Sequence, residues 1–319
     1  MTCFCPATLR SIFQAFPPST PFQGTESPQI RVFFWSTALA SFLLTFVKQR
    51  GRRNYSIVDR IWPLYPLCFL VQWQMQATRT SPQSVVIQSL VYLWGMRLCF
   101  NSLRRGDYRV GAEDYRWKHV QMWFSQIFGN GLTGSLAWEA FNLGFIAVFQ
   151  LALLYLIALP VRLVILQSSE GQWDLLLVSL AVAMLLTLAG EALADQQQYA
   201  YQQHKRVHPD RIGFVHQGLW RFSRHPNVFC EGLFWVLVSI FCMRAGGVDA
   251  GVCENAWYWA GPLCLLVLLS SSVRLTESIS LGKYPAYKAY VVKTSRILPM
   301  VPRDNREVID IAHSYHFVH

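Results

Sequence analysis

Seven apolar runs, each near the length of one bilayer crossing, restrict this chain to one class of fold. They cover residues 30–47, 61–76, 84–100, 141–166, 173–193, 228–243 and 255–273. About 20 helical residues cross the hydrocarbon of a bilayer. The second and sixth runs are short, so each is expected to be tilted, broken or interfacial. Pro160 and Pro262 are expected to kink their runs. The reading is an all-α, polytopic transmembrane helical bundle of about seven spans. Composition agrees, with 53% of the 319 residues hydrophobic and 14% charged, where a soluble domain carries about 25% charged residues.

Charge then sets the orientation. Lys48, Arg50, Arg52, Arg53 and Arg60 follow the first run; Arg104, Arg105, Arg109, Arg116 and Lys118 follow the third. Lys205, Arg206, Arg211, Arg221 and Arg224 follow the fifth, and the tail carries Lys283, Lys288, Lys293, Arg296, Arg303 and Arg306. The alternate loops hold only Arg79, Glu170, and Arg244 with Asp249 and Glu254. Basic loops stay in the cytosol, so the N-terminus is expected outside and the C-terminus cytosolic. The net charge of +10 is thereby explained by loops, and no nucleic-acid partner is expected. The sequon at Asn54 falls in a cytosolic loop and is expected to be unmodified. Residues 1–29 read as a disordered tail, 30–300 as one membrane domain and 301–319 as a C-terminal tail. The eight cysteines lie mostly in or beside apolar runs without a C-x-x-C pair, so neither a disulfide framework nor a metal site is expected.

The chemistry-bearing residues gather on the cytosolic side. In GLWRFSRHPNVFCEGLFW (218–235), Arg221, Arg224 and His225 precede Pro226, and an apolar run broken only by Glu231 follows. Proline favours the first helical turn, so a helix is expected to start there, its N-terminus and the cations seating a phosphate. Asn227 and Glu231, four apart, share a helix face. A carboxylate inside an apolar span costs about 2.5–3.5 kcal/mol on insertion scales and marks a functional site. The alternative for the basic cluster is a seat for lipid headgroups. The fifth run ends in GEALADQQQYAYQQHKR, where Glu191, Asp195, Gln198 or Tyr199, and Gln202 make a polar stripe. Lys205 and Arg206 follow and suit a 2′-phosphate. In the tail, Tyr284, Tyr287 and Tyr290 recur at spacing three and read either as a nucleotide clamp or as an interfacial anchor. Arg224, Asn227, Glu231 and Asp195 are expected around one cavity.

The string RHPN, with Glu231 following, resembles the superfamily of steroid 5-alpha-reductases, sterol reductases and isoprenylcysteine carboxyl methyltransferases. DRIWPLYP (59–66), LWGMRLCFNSLRRGDY (93–108), EDYRW (113–117), the surroundings of Asp195 and the tail YPAYKAY with RILP (296–299) resemble its 5-alpha-reductase-like branch, a domain of unknown function. Where that superfamily usually has Tyr after the Asn, this chain has Val228. The resemblance implies NADPH as cofactor. Glu191, four residues before Asp195, falls where the steroid reductases place a group on the nicotinamide end, and the tyrosine tail falls where they close over the cofactor. Their N-terminal half polarises the substrate ketone; no proton donor is assigned here, the candidates for catalytic groups being Tyr92, Arg97 and Glu231, of which Arg97 reads equally as a snorkelling interfacial residue.

The expected function is an NADPH-dependent reductase of an apolar enone or alkene lipid of steroid, sterol or polyprenoid type, taken from the bilayer. In a eukaryote the endoplasmic reticulum is the expected membrane. Glu191, Asp195, Lys205, Arg206, Arg221, Arg224, His225, Asn227, Glu231 and the three tail tyrosines are its cofactor-binding candidates. Two alternatives remain open: a lipid or isoprenylcysteine methyltransferase using S-adenosylmethionine, which shares R-H-P and the following Glu, and a non-catalytic lipid-binding membrane protein, for which Val228 speaks.

Overall fold

The computed structural model describes residues 27–167, 171–208, 212–248 and 255–302. Nearly all of the two expected tails lies outside the described residues, as do Glu170, Arg211, Asp249, Glu254, Arg303 and Arg306. The described residues form helices and no strands. In order they are α1 (Pro28–Leu44), α2 (Ile57–Ile61), α3 (Tyr65–Gln74), α4 (Pro82–Arg105), α5 (Tyr115–Phe128) and α6 (Leu132–Phe141). A π-helical stretch (Asn142–Phe149) leads into α7 (Gln150–Ile165), followed by α8 (Leu175–Val207) and a 3₁₀ turn (Gly218–Arg221). Then come α9 (Pro226–Ala245), α10 (Trp257–Lys283) and α11 (Tyr287–Lys293). Among the described residues, four helices are long and apolar enough to cross a membrane: Leu132–Ile165, Leu175–Val207, Pro226–Ala245 and Trp257–Lys283.

Local chemistry sets the boundaries. Ser81 caps α4, its hydroxyl accepting from the Ser84 amide, with Pro82 at the first turn; Gly106 at φ +85° ends it in the left-handed region. Asp174 caps α8 through the Leu177 amide and holds Arg244 across the bundle. Pro226 opens α9, where the sequence places a helix start. The fourth apolar run, expected from residue 141, starts its helix nine residues earlier at Leu132. The helix runs on through Pro160, as α10 does through Pro262.

The core forms around α7, whose sequence QLALLYLIALPVRLVI is apolar on all sides and largely buried. A helix hydrophobic all round must be enclosed, and α3, α4, α9 and α10 all pack on it. Gly261 makes one contact possible: a Cβ there would sit 2.4 Å from the carbonyl of Leu156, so α10 meets α7 backbone to backbone. Outward faces carry the reverse of a soluble surface, with Leu175, Leu186, Leu263 and Val267 all exposed. The largest helix contact joins α8 to α9, and the site lies at one end of it.

Candidate functional site

Three helices bring their polar positions to one level. α4 supplies Arg97, two turns before its end; α8 supplies Glu191 and Asp195; α9 supplies Asn227 and Glu231 from its first two turns. Spacing of four puts Glu191 with Asp195, and Asn227 with Glu231, on single faces, and the α8–α9 contact turns those faces together. Arg97 enters from α4 and fills the centre. Its Nη1 lies 2.5 Å from Asp195 Oδ2, and its Nη2 lies 2.7 Å from Glu191 Oε2 and 3.0 Å from Glu231 Oε2. All four side chains are nearly enclosed: Glu191 is 0% exposed, Asp195 7%, Glu231 13% and Arg97 13%.

Neighbours fix the orientation of this group. The Trp94 and Trp235 indoles donate to Glu231 Oε1 at 2.9 and 3.3 Å, and the two rings meet edge to face at 4.8 Å. Asn227 Nδ2 donates to Asp195 Oδ1 at 3.4 Å. The pairing is incomplete, however. Glu191 touches Arg97 as a charge contact without hydrogen-bond alignment, so both its oxygens lack a donor. Asn227 Oδ1, Gln198 Oε1 and Arg97 Nε also lack partners among the described residues. Buried polar atoms left open are uncommon, and each calls for an explanation. Three carboxylates share one guanidinium. A second cation of the same rim, Arg104, is held by Asn101 and Gln196 and lies over the Tyr199 ring at 4.4 Å.

The residues expected around one cavity fall into two separate groups. Asn227, Glu231 and Asp195 do meet, but Arg224 turns away on the other side of the α9 start. It is 5% exposed, its Nε lies 2.6 Å from Glu277 Oε1, and its Nη1 donates to the carbonyls of Val291 and Thr294. His225 Nε2 lies 3.2 Å from the same Glu277 oxygen, and Arg296 Nε lies 3.0 Å from the other. Two guanidiniums and an imidazole therefore converge on one carboxylate, which ties α9, α10 and the segment after α11 together. The physical reason is local: Pro226 starts α9, so the residues on either side of it leave in different directions.

The remaining candidates fall as follows. Arg221 and Arg206 are exposed on the rim. Lys205 Nζ donates to the Gly213 carbonyl and the Tyr284 hydroxyl, each at 2.8 Å. Burial works to raise the Tyr284 pKa, but the Lys205 and Lys283 ammonium groups outweigh it and the net direction is down. Tyr287 and Tyr290 are buried against Phe214 at 4.9 and 5.3 Å between ring centres, and the Tyr290 hydroxyl donates to the Trp220 carbonyl. These two tyrosines pin the tail down; they do not present an open clamp. Tyr92 packs half-buried against the apolar core, off the face of Arg97.

Sequence reasoning missed Glu277, Trp94 and Trp235. Glu277 had a signal, being the one acid in α10. The tryptophans had none, because their partner lies on another helix.

Comparison with known proteins gives a family. The model described as "Protein of unknown function (DUF1295)" matches residues 45–294. An uncharacterised protein of Schizosaccharomyces pombe is 32% identical over 279 residues, 81% of this chain and 76% of the relative. No solved structure matches.

Proposed function

We propose that this chain, which belongs to the family described as protein of unknown function (DUF1295), is a membrane reductase of the steroid 5-alpha-reductase type. It crosses the bilayer seven times, α1, the short run of residues 61–76 that contains α3, and α4 adding to the four long helices, with its N-terminus outside and its C-terminus in the cytosol. It uses NADPH to reduce an apolar enone or alkene lipid. The observation that carries this reading is the Arg97 group: three acids, an amide and a guanidinium from three helices, enclosed at the ends of apolar helices that this reading places in the cytosol.

The open valences fit the cofactor. Glu191, Asn227 and Gln198 have buried acceptors without donors, and a nicotinamide carboxamide or a ribose brings donors. Bound NADPH would supply a hydride for one carbon of the lipid's double bond, the β-carbon in an enone, while the other carbon takes a proton from water or a protein acid, leaving NADP⁺ and the saturated product. Asn227, Asp195 and Glu191 hold and orient its nicotinamide end. Arg97 is a positioning residue, since it keeps the three acids in register and leaves few of its own N–H groups free. Glu231, held by two indoles, buttresses Arg97. Exposed Arg206 and Arg221, and Arg296 at the edge of the Glu277 cluster, attract the phosphates.

Two other readings each have an observation behind them. The Arg97 group has more acids than cations, which suits a cationic ligand such as S-adenosylmethionine in a lipid or isoprenylcysteine methyltransferase. An apolar groove of about 250 Å³ between α9 and α10, lined by Val228, Gly232, Leu266 and Leu298, suits a lipid-binding protein without chemistry. Thermal shift of the purified protein with NADPH, NADH and S-adenosylmethionine separates the three. Stabilisation by NADPH alone supports the reductase, S-adenosylmethionine alone supports the methyltransferase, and no shift with any of them supports the lipid binder.

A further inference from the structure

The helix Leu132–Ile165 is too long for its task. Its 34 residues extend about 51 Å at 1.5 Å per residue, against a hydrocarbon core of about 30 Å. The excess lies at the α6 end, where α5 folds back on α6. The reversal is tight: Gly129 has φ +76°, and a Cβ on Gly134 would sit 1.8 Å from the Gly129 carbonyl oxygen. The inner faces interlock through Phe124 with Trp138 at 5.5 Å and with Phe141 at 4.9 Å. The base is pinned to the bundle, since the Trp117 indole donates to Asp59 and Arg116 reaches Ser272 on α10.

The outer face is the unusual part. Met122, Trp123, Ile127, Phe128, Leu132 and Leu136 are between 44% and 76% exposed. Leu132, Leu136 and Leu143 lie on one stripe of the long helix, and Leu143 is exposed too. The apolar stripe therefore continues without a break from the spanning part of the helix to the tip of the hairpin. Between residues 115 and 141 the only acid is Glu139, which is neutralised by Arg53. Lys118 is the exposed cation of α5.

We infer that the α5–α6 hairpin lies in the lipid of the cytoplasmic leaflet, so that the long helix runs obliquely and its apolar stripe is covered by acyl chains to the tip. An aqueous loop would leave six large apolar side chains in water. A leaflet with anionic headgroups also matches the hairpin's lack of exposed acid. The chain thus has a monotopic element beside its spans.

The test is photo-crosslinking in the full chain, reconstituted in vesicles of phosphatidylcholine and phosphatidylserine. Benzoylphenylalanine is installed singly in place of Trp123, Ile127 or Leu136. Leu186, on the outward face of α8 and 67% exposed, serves as the bilayer control, and Arg206 as the aqueous control. The expected result is phospholipid adducts at all three hairpin positions, in yields within about twofold of Leu186, as for a helix lying in the interface. Yields at the Arg206 level overturn the inference in favour of an aqueous hairpin. A crosslinked dimer in place of lipid adducts overturns it in favour of a contact between copies. The probes sit on exposed positions, so folding is spared, and the outcome does not depend on which ligand the Arg97 group binds.

Discussion

Replacing Arg97 by Met removes the cation that three buried acids share. The partners lie 2.5–3.0 Å away and are at most 13% exposed, so water does little screening. Breaking a buried pair by deleting one partner costs about 3–5 kcal/mol, because the other charge remains buried without compensation. A large domain loses about 2 °C of Tm per kcal/mol, so Arg97→Met should melt about 6–10 °C lower in detergent, read by intrinsic fluorescence from the 12 tryptophans. Arg97→Lys should fall between, since an ammonium cannot spread its donors over three carboxylates. The decisive arm is the double variant Arg97→Met with Glu191→Gln. Removing the fully buried acid relieves part of the repulsion, so the double should melt above the single. A single variant within about 2 °C of wild type, or a double no better than the single, would refute the account of this cluster.

Three other perturbations bear on the frame around it. Glu277→Ala strands Arg224, 5% exposed, beside His225 and Arg296; limited proteolysis should then cut within the tail after α11, and stability should fall by about 3–5 kcal/mol. Gly261→Val drives a side chain into the Leu156 backbone and should cost at least about 1–3 kcal/mol, seen as loss of monodisperse protein in detergent. Asp114→Ala removes the α5 cap, where the carboxylate accepts from the Arg116 amide and guanidinium, at a cost of about 1 kcal/mol. Burial pushes the Asp114 pKa up, but Arg116 outweighs it and the net direction is down. Its contribution is therefore present above the unfolded carboxyl pKa of about 3.9 and is lost as pH falls through the folded value. The difference between wild type and Asp114→Ala should accordingly shrink in acid melts.

The helices were legible because the bilayer imposes a length and a composition, and Pro226 and the α8 stripe announced where polar groups would enter. Glu191 with Asp195 and Asn227 with Glu231 could be paired along the chain, since spacing of four is a local rule. What joins those pairs was not local. Arg97 lies 94 and 134 residues before Glu191 and Glu231, and only the packing of α4 on α8 shows that it fills their centre. Arg224 was misplaced for the opposite reason. Nearness in sequence to Asn227 suggested nearness in space, but a proline-started helix sends the two in different directions, and Glu277 on α10 takes Arg224. The early start of the helix at Leu132 was hidden by polar and glycine residues ahead of the apolar run, while the π-helical stretch left no pattern in the sequence.

The central claim is that the Arg97 group holds a dinucleotide. NADPH binding to the purified protein, followed by nicotinamide fluorescence, should saturate in wild type and weaken at least about tenfold in Asn227→Ala, a loss of one or two hydrogen bonds at about 1.4 kcal/mol per decade. Asn227 donates one weak bond inside the cluster, so its removal should leave Tm nearly unchanged. Wild type that binds no NADPH, or Asn227→Ala that binds it as tightly as wild type, would contradict the account.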